Sequence, residues 1–251
     1  MFCMNNIFPS MCSKPEKIKI FALIPCWLWV FVLLPMYLPF VGLGIWEQWE
    51  ISAWLDIAYH VLNGLTMLFL MGSYLKDEWD MVTTDIHYYL KHVLLTVGLM
   101  VAVELALLGA LHHCGFFIGY MLNGLPVAEF FVSHTTLSLI SFEPVFGTIA
   151  LTVFAPISIC ALFYCLGFAP VCYRKPWLAY LCIAVITLIP PIINILWRGQ
   201  EMETLSIYLV QLPIHLLACW SYQKTDNVWT PIASLAITNF LASIVLNLLY
   251  I

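Results

Sequence analysis

"YQKTDNVWTPIASLAITNFLAS", residues 222–243, passes from a polar turn straight into an apolar helix. The turn supplies a cation, a carboxylate and an amide in Lys224, Asp226 and Asn227, and the helix begins near Pro231. The rest of the chain has the same character. Of its 251 residues 63% are hydrophobic and only 9% charged, with a mean hydropathy of +0.96. Ordinary soluble domains are nearer a quarter charged. A soluble fold of this length cannot hide so much apolar surface, whereas a bilayer accepts it.

A membrane-crossing helix needs about 20 mostly apolar residues. Working outward from the last helix, that length picks out segments 19–44, 53–75, 91–112, 145–171, 177–197, 204–221 and 228–250. The expected fold is therefore all-α, a polytopic transmembrane bundle of about seven spans. Prolines mark where a span can break, because each removes a backbone donor. Pro25, Pro35 and Pro39 interrupt the first segment, and Pro156 the fourth. Lys14, Lys17 and Lys19 precede an apolar run too long for a signal-peptide core, which predicts a retained first span.

Lysine and arginine favour the cytoplasmic side. With the N-terminus inside, the inner segments and span ends hold Lys14, Lys17, Lys19, Lys76, Lys91, Arg174, Lys175 and Lys224, and the outer ones only Arg198. That split predicts an integral plasma-membrane protein with a cytoplasmic N-terminus and an outer C-terminus. The outer side is acidic, with Glu47, Glu50, Glu129, Glu143, Glu201 and Glu203. The outer stretch 113–143 is too apolar for a solvated loop and reads as re-entrant or interfacial. The inner "KDEWDMVTTDIHYYLK", 76–91, mixes charges with Trp79, Ile86, Tyr88 and Tyr89, which suits a helix at headgroup level. There is no repeat or low-complexity tract, so residues 1–251 read as one integral membrane domain.

The net charge is −5 without a basic cluster, which argues against nucleic acid as a partner. Cys26, Cys160, Cys165, Cys172, Cys182 and Cys219 lie in or beside apolar runs without a C-x-x-C pair, as small hydrophobes do. Neither a metal site nor a cofactor is indicated.

Ionisable groups within spans are costly, about 2.5–3.5 kcal/mol at a helix centre, so each is a functional candidate. Glu104 in "GLMVAVELALLGALHH" is either a working carboxylate paired with a histidine or a polar helix–helix contact. His60 and His215 are either ligands or hydrogen-bonded packing residues. His112, His113 and His134 could gather with Glu129 and Glu143 at the outer side, or lie singly at the interface. Standard protease routes are absent: there is no H-E-x-x-H and no G-x-S-x-G, and Asp56 is the only aspartate near a span interior.

Three stretches carry a resemblance to a known family. "TVFAPISICALFYCLGF", 152–168, resembles a helix in which Ala-Pro precedes Glu-Glu-x-x-x-Arg. "WLAYLCIAVITLIPPII", 177–193, resembles one bearing Phe-x-x-x-His. The opening stretch resembles the entry "Y-x-K-T-G-N-L-W-x-P-I" to a helix carrying His-x-x-x-Asn, with Asp226 for the glycine and Val228 for the leucine. Together these resemble the CPBP family of glutamic-type intramembrane endopeptidases, the CAAX-protease and bacteriocin-processing group, over residues 142–251.

Carried over by position, the family's two glutamates fall on Ile159 and Cys160 and its arginine on Tyr164. The phenylalanine and histidine of the next motif fall on Thr187 and Pro191. The last histidine falls on Leu235, and the asparagine is kept as Asn239. Isoleucine, proline and leucine cannot act as a general base or donate to an oxyanion. Loss of one such group often costs about 10²–10⁴-fold in rate.

The resemblance thus implies a CPBP-like pseudoprotease that binds a membrane protein or peptide in the old substrate cavity, as scaffold, regulator or immunity factor. One alternative is an active intramembrane endopeptidase with a relocated site drawn from Glu104, Glu143, His60, His134 and His215. Another is a small-molecule permease with Glu104 in its path.

Overall fold

The computed structural model describes residues 49–113, 121–122, 125–126, 144–161, 164, 168–172, 175–198 and 203–250. The first expected span, 19–44, lies outside them, as do Glu129, His134 and Glu143 and most of the outer stretch 113–143.

The helices are α1 (Trp49–Thr84), α2 (Ile86–His113), α3 (Pro144–Ile149), α4 (Ala155–Ile159), α5 (Ala169–Cys172), α6 (Pro176–Arg198), α7 (Glu203–Thr225) and α8 (Trp229–Tyr250). A π-helical segment, Ala150–Phe154, joins α3 to α4. The two-residue strands β1 (Met121–Leu122) and β2 (Leu125–Pro126) pair antiparallel, Met121 opposite Pro126. Apart from that ladder, every described element is helical, so the fold is all-α. Among the described residues one helix, over Ile86–Leu107, is long and apolar enough by length and composition to cross a membrane.

Helices α6, α7 and α8 match the expected segments 177–197, 204–221 and 228–250 to within a few residues. The fourth segment is not broken at Pro156: it stays helical over 144–161, changing to a π pattern at Ala150–Phe154 just before the proline and back to α at Ala155. The inner stretch 76–91 differs from its expectation. It is no separate headgroup-level helix, because α1 runs on through it to Thr84 and α2 starts at Ile86 after a bend at Asp85. The Asp85 side chain accepts from the Tyr88 N–H at 3.3 Å and so caps α2. Propensity and a local cap carried the two long helices to a tight corner there.

Around this corner α2 packs on α7 and α8, α7 packs on α6, and α1 lies along the π segment and α4. The core joins Met67, Met71 and Leu75 of α1, Met100 of α2, Ile157, Cys160, Tyr164 and Phe168, then Ala218, Cys219 and Tyr222 of α7 and Ile232 and Leu235 of α8. Small residues let the helices approach. A Cβ on Gly64 would stand 2.7 Å from the Phe154 Cβ and 2.9 Å from its Cα, so the absence of a side chain there sets the α1–π spacing.

Many hydroxyls are satisfied within their own helices. Thr66, Thr96, Thr152, Thr187, Thr225, Ser234, Thr238 and Ser243 each donate to the carbonyl four residues back, at 2.7–2.9 Å. Such back-bonding keeps a hydroxyl paired without water. The outward face of the bundle is apolar: Phe69 is 83% exposed, Val145 65%, Leu62 63% and Leu94 59%.

Candidate functional site

The fourth apolar segment holds the first stretch of the CPBP resemblance, and its backbone explains much of the site. Pro156 has no N–H to donate. The Ala155 N–H reaches back five residues to the Ala150 carbonyl, in the π pattern. The Leu151 carbonyl therefore has neither an α partner at Ala155 nor a π partner at Pro156. The Asn239 side-chain amide fills that vacancy from α8, donating to the Leu151 oxygen at 2.8 Å.

Asn239, the one residue that the CPBP resemblance keeps, thus serves a carbonyl left without a partner where the π segment meets Pro156. Replacing it with leucine keeps the volume and leaves the carbonyl without its donor. A cost of about 1–3 kcal/mol is expected for an unsatisfied buried group, read as lowered resistance to denaturation in micelles.

The other motif positions are packed or bonded locally. Cys160 and Tyr164 are fully buried, Leu235 is 5% exposed, and Ile159 packs partly buried on the same core. The Thr187 hydroxyl donates to the Ile183 carbonyl of its own helix at 2.9 Å. Pro191 lies within α6. None of Ile159, Cys160, Tyr164 and Leu235 brings a carboxylate or an imidazole to the core. The Tyr164 hydroxyl, at the position of the family arginine, lies 3.0 Å from His215 Nδ1 on α7. That contact joins one position of the resemblance to one of the candidate histidines. Sequence reasoning weighed both residues but did not pair them, because their separation of 51 positions shows no local signal.

Glu104 lies on α2, 2% exposed, and its Oε2 has no hydrogen-bond partner. His60 lies on α1, half-buried. The structure records no hydrogen bond from Glu104 Oε2 to His60 or His215. Of the proposed acid–histidine set, Glu143 and His134 are outside the described residues.

A second polar centre sits at the corner end, where the opening stretch meets α1. Helix α7 stops at Thr225 because Asp226 takes a left-handed conformation, φ 51°, and its N–H closes on the Tyr222 carbonyl at 2.8 Å. This is the position where the resemblance expects glycine, the residue most at ease at positive φ. Asn227 then acts twice. Its Oδ1 accepts from the Trp229 N–H at 2.9 Å and caps α8, while its Nδ2 donates to the Glu78 carbonyl at 2.8 Å.

Glu78 itself accepts from the Val228 N–H at 3.2 Å, and Trp229 Nε1 donates to the Leu75 carbonyl at 2.7 Å. The Trp79 and Trp229 rings meet edge-on at 5.2 Å. Tyr88 Oη, from α2, donates to the Lys224 carbonyl at 3.1 Å. Glu78 is 7% exposed. Burial, with the nearby Asp226 and Asp77 charges, pushes its carboxyl up to about 7 against the Val228 N–H and the Tyr74 hydroxyl.

Sequence reasoning missed Glu78 because it stands among Lys76, Asp77 and Asp80, whose charges signal a wet surface. The usable signal was its spacing from Met67, Met71, Tyr74 and Leu75, which puts it on the buried stripe of α1.

Among the described residues no group of three or more histidine, cysteine or acidic side chains could hold a metal ion. No family model, no curated protein and no solved structure matches this chain.

Proposed function

We propose that the chain is a CPBP-like integral membrane protein that has given up proteolysis and works by binding another membrane protein or peptide. One observation carries the loss of chemistry. Of the positions onto which the family's acid, base and cation would fall, Cys160, Tyr164 and Leu235 are buried in a common core and Ile159 packs partly buried against it. A general base must lie within about 3 Å of a water or substrate proton, and these side chains offer none.

Membrane embedding is supported by the composition, the Ile86–Leu107 helix, the outward apolar side chains and the hydroxyls bonded to their own helices. Lys76, Lys91, Lys175 and Lys224 are all exposed at the corner end with Trp79, Tyr88 and Trp177. Basic and aromatic residues gather in this way at a cytoplasmic interface, which supports the inner placement of that end.

The test combines cleavage and capture. The full chain is purified with co-expressed membrane peptides, products are read by mass spectrometry, and bound peptides are recovered from the same sample. Stable co-purification without cleavage is expected, with Glu104→Gln behaving as wild type. Cleavage abolished by Glu104→Gln would instead establish a relocated protease site.

A further inference from the structure

The corner joins three separately folded pieces: the end of α1, the α7–α8 turn and the start of α2. Four hydrogen bonds link these pieces across the chain. Glu78 Oε2 holds the Val228 N–H, the Glu78 carbonyl holds Asn227 Nδ2, the Leu75 carbonyl holds Trp229 Nε1, and the Lys224 carbonyl holds the Tyr88 hydroxyl. Of these four, only the first depends on a carboxyl group. We propose that this corner is a proton-operated latch, in which protonated Glu78 keeps the α7–α8 turn docked on α1 and ionised Glu78 releases it.

The surroundings give the direction. On α1, Asp77 and Tyr74 neighbour the carboxyl; the turn contributes Asp226, and α2 presents Tyr89, which feels the charge of Glu78. Cys172 of α5 borders Asp226, and its thiol is pushed up by burial and by that charge. No basic side chain is among the groups acting on Glu78. An ionised Glu78 would sit buried beside two other carboxylates with one backbone N–H and one phenol to hold it. Moving outward to water relieves that repulsion and takes away the acceptor that holds Val228.

A carboxyl that titrates near 7 when docked, against an ordinary value of 4.5, binds its proton more tightly in the closed form. Closure is therefore strongest below the ordinary value and weakens as pH rises toward 7, after which it levels off.

Hydrogen exchange by mass spectrometry on the full chain in lipid nanodiscs tests this, with rates corrected for intrinsic pH dependence. From pH 5.5 to 8.5 opening of peptides covering 224–232 should rise by about tenfold or more, centred near neutrality. Peptides within 93–104 should stay unchanged. Glu78→Gln, which accepts the same bond without charge, should be flat and protected at every pH. A wild-type profile that is flat, or one that rises equally in Glu78→Gln, overturns the latch. If Glu78→Gln does not fold, the wild-type profile decides: a local rise near neutrality supports the latch, and a flat or chain-wide response overturns it.

Discussion

Asn227→Ala is expected to destabilise the protein by about 2–4 kcal/mol, because it removes a helix cap and leaves a buried carbonyl without its donor. The Oδ1 of Asn227 receives the Trp229 N–H, and its Nδ2 serves the Glu78 carbonyl, with Asn227 fully buried. Loss of an N-cap alone costs about 1 kcal/mol; the larger figure adds the carbonyl of α1, which no water replaces without opening the corner.

Asn227→Asp separates the two roles. It keeps the acceptor for Trp229, loses the donor, and adds a carboxylate beside Glu78 and Asp226. Its deficit should therefore be smaller than that of alanine at low pH and should grow as pH rises. Denaturant titration in micelles at pH 5.5 and 8 reads both. Equal stability of Asn227→Ala and wild type would show that the turn does not hold α1.

Gly64→Leu is expected to abolish the folded bundle. Even a methyl group on Gly64 meets the Phe154 backbone, at 2.9 Å from its Cα. Backbone cannot rotate away as a side-chain tip can, so α1 must lift off the π segment. Gly64→Ala should then cost about 1–3 kcal/mol despite alanine's better helix propensity, and leucine far more.

Three other glycines act as controls. Gly72, Gly98 and Gly109 have nothing within 4 Å of an added Cβ, so alanine there should be neutral or stabilising by up to about 1 kcal/mol. Monodispersity and thermal melting of the four alanine variants and of Gly64→Leu separate close approach from propensity. A Gly64→Ala protein as stable as the three controls would mean that α1 is not pressed against Phe154.

The helical class and the positions of α6, α7 and α8 can be read from hydropathy alone. Long apolar runs bounded by polar turns leave helices as the one way to pair every backbone group locally. Side-chain identity alone also shows that the positions aligned by the CPBP resemblance carry no carboxylate or imidazole.

What Asn239 does was decided only in three dimensions. Its role depends on a carbonyl 88 positions away, orphaned jointly by a π turn and by Pro156. The pairing of Tyr164 with His215 was equally hidden, and so was the value of Gly64, which lies in what Phe154 brings close to it. Glu78 shows why most plainly. By sequence it belongs to a charged, wet segment; only when the α7–α8 turn closes over α1 does its carboxyl leave water and meet Asp226. Hydropathy sums over neighbours along the chain, whereas burial and charge coupling are set by neighbours across it.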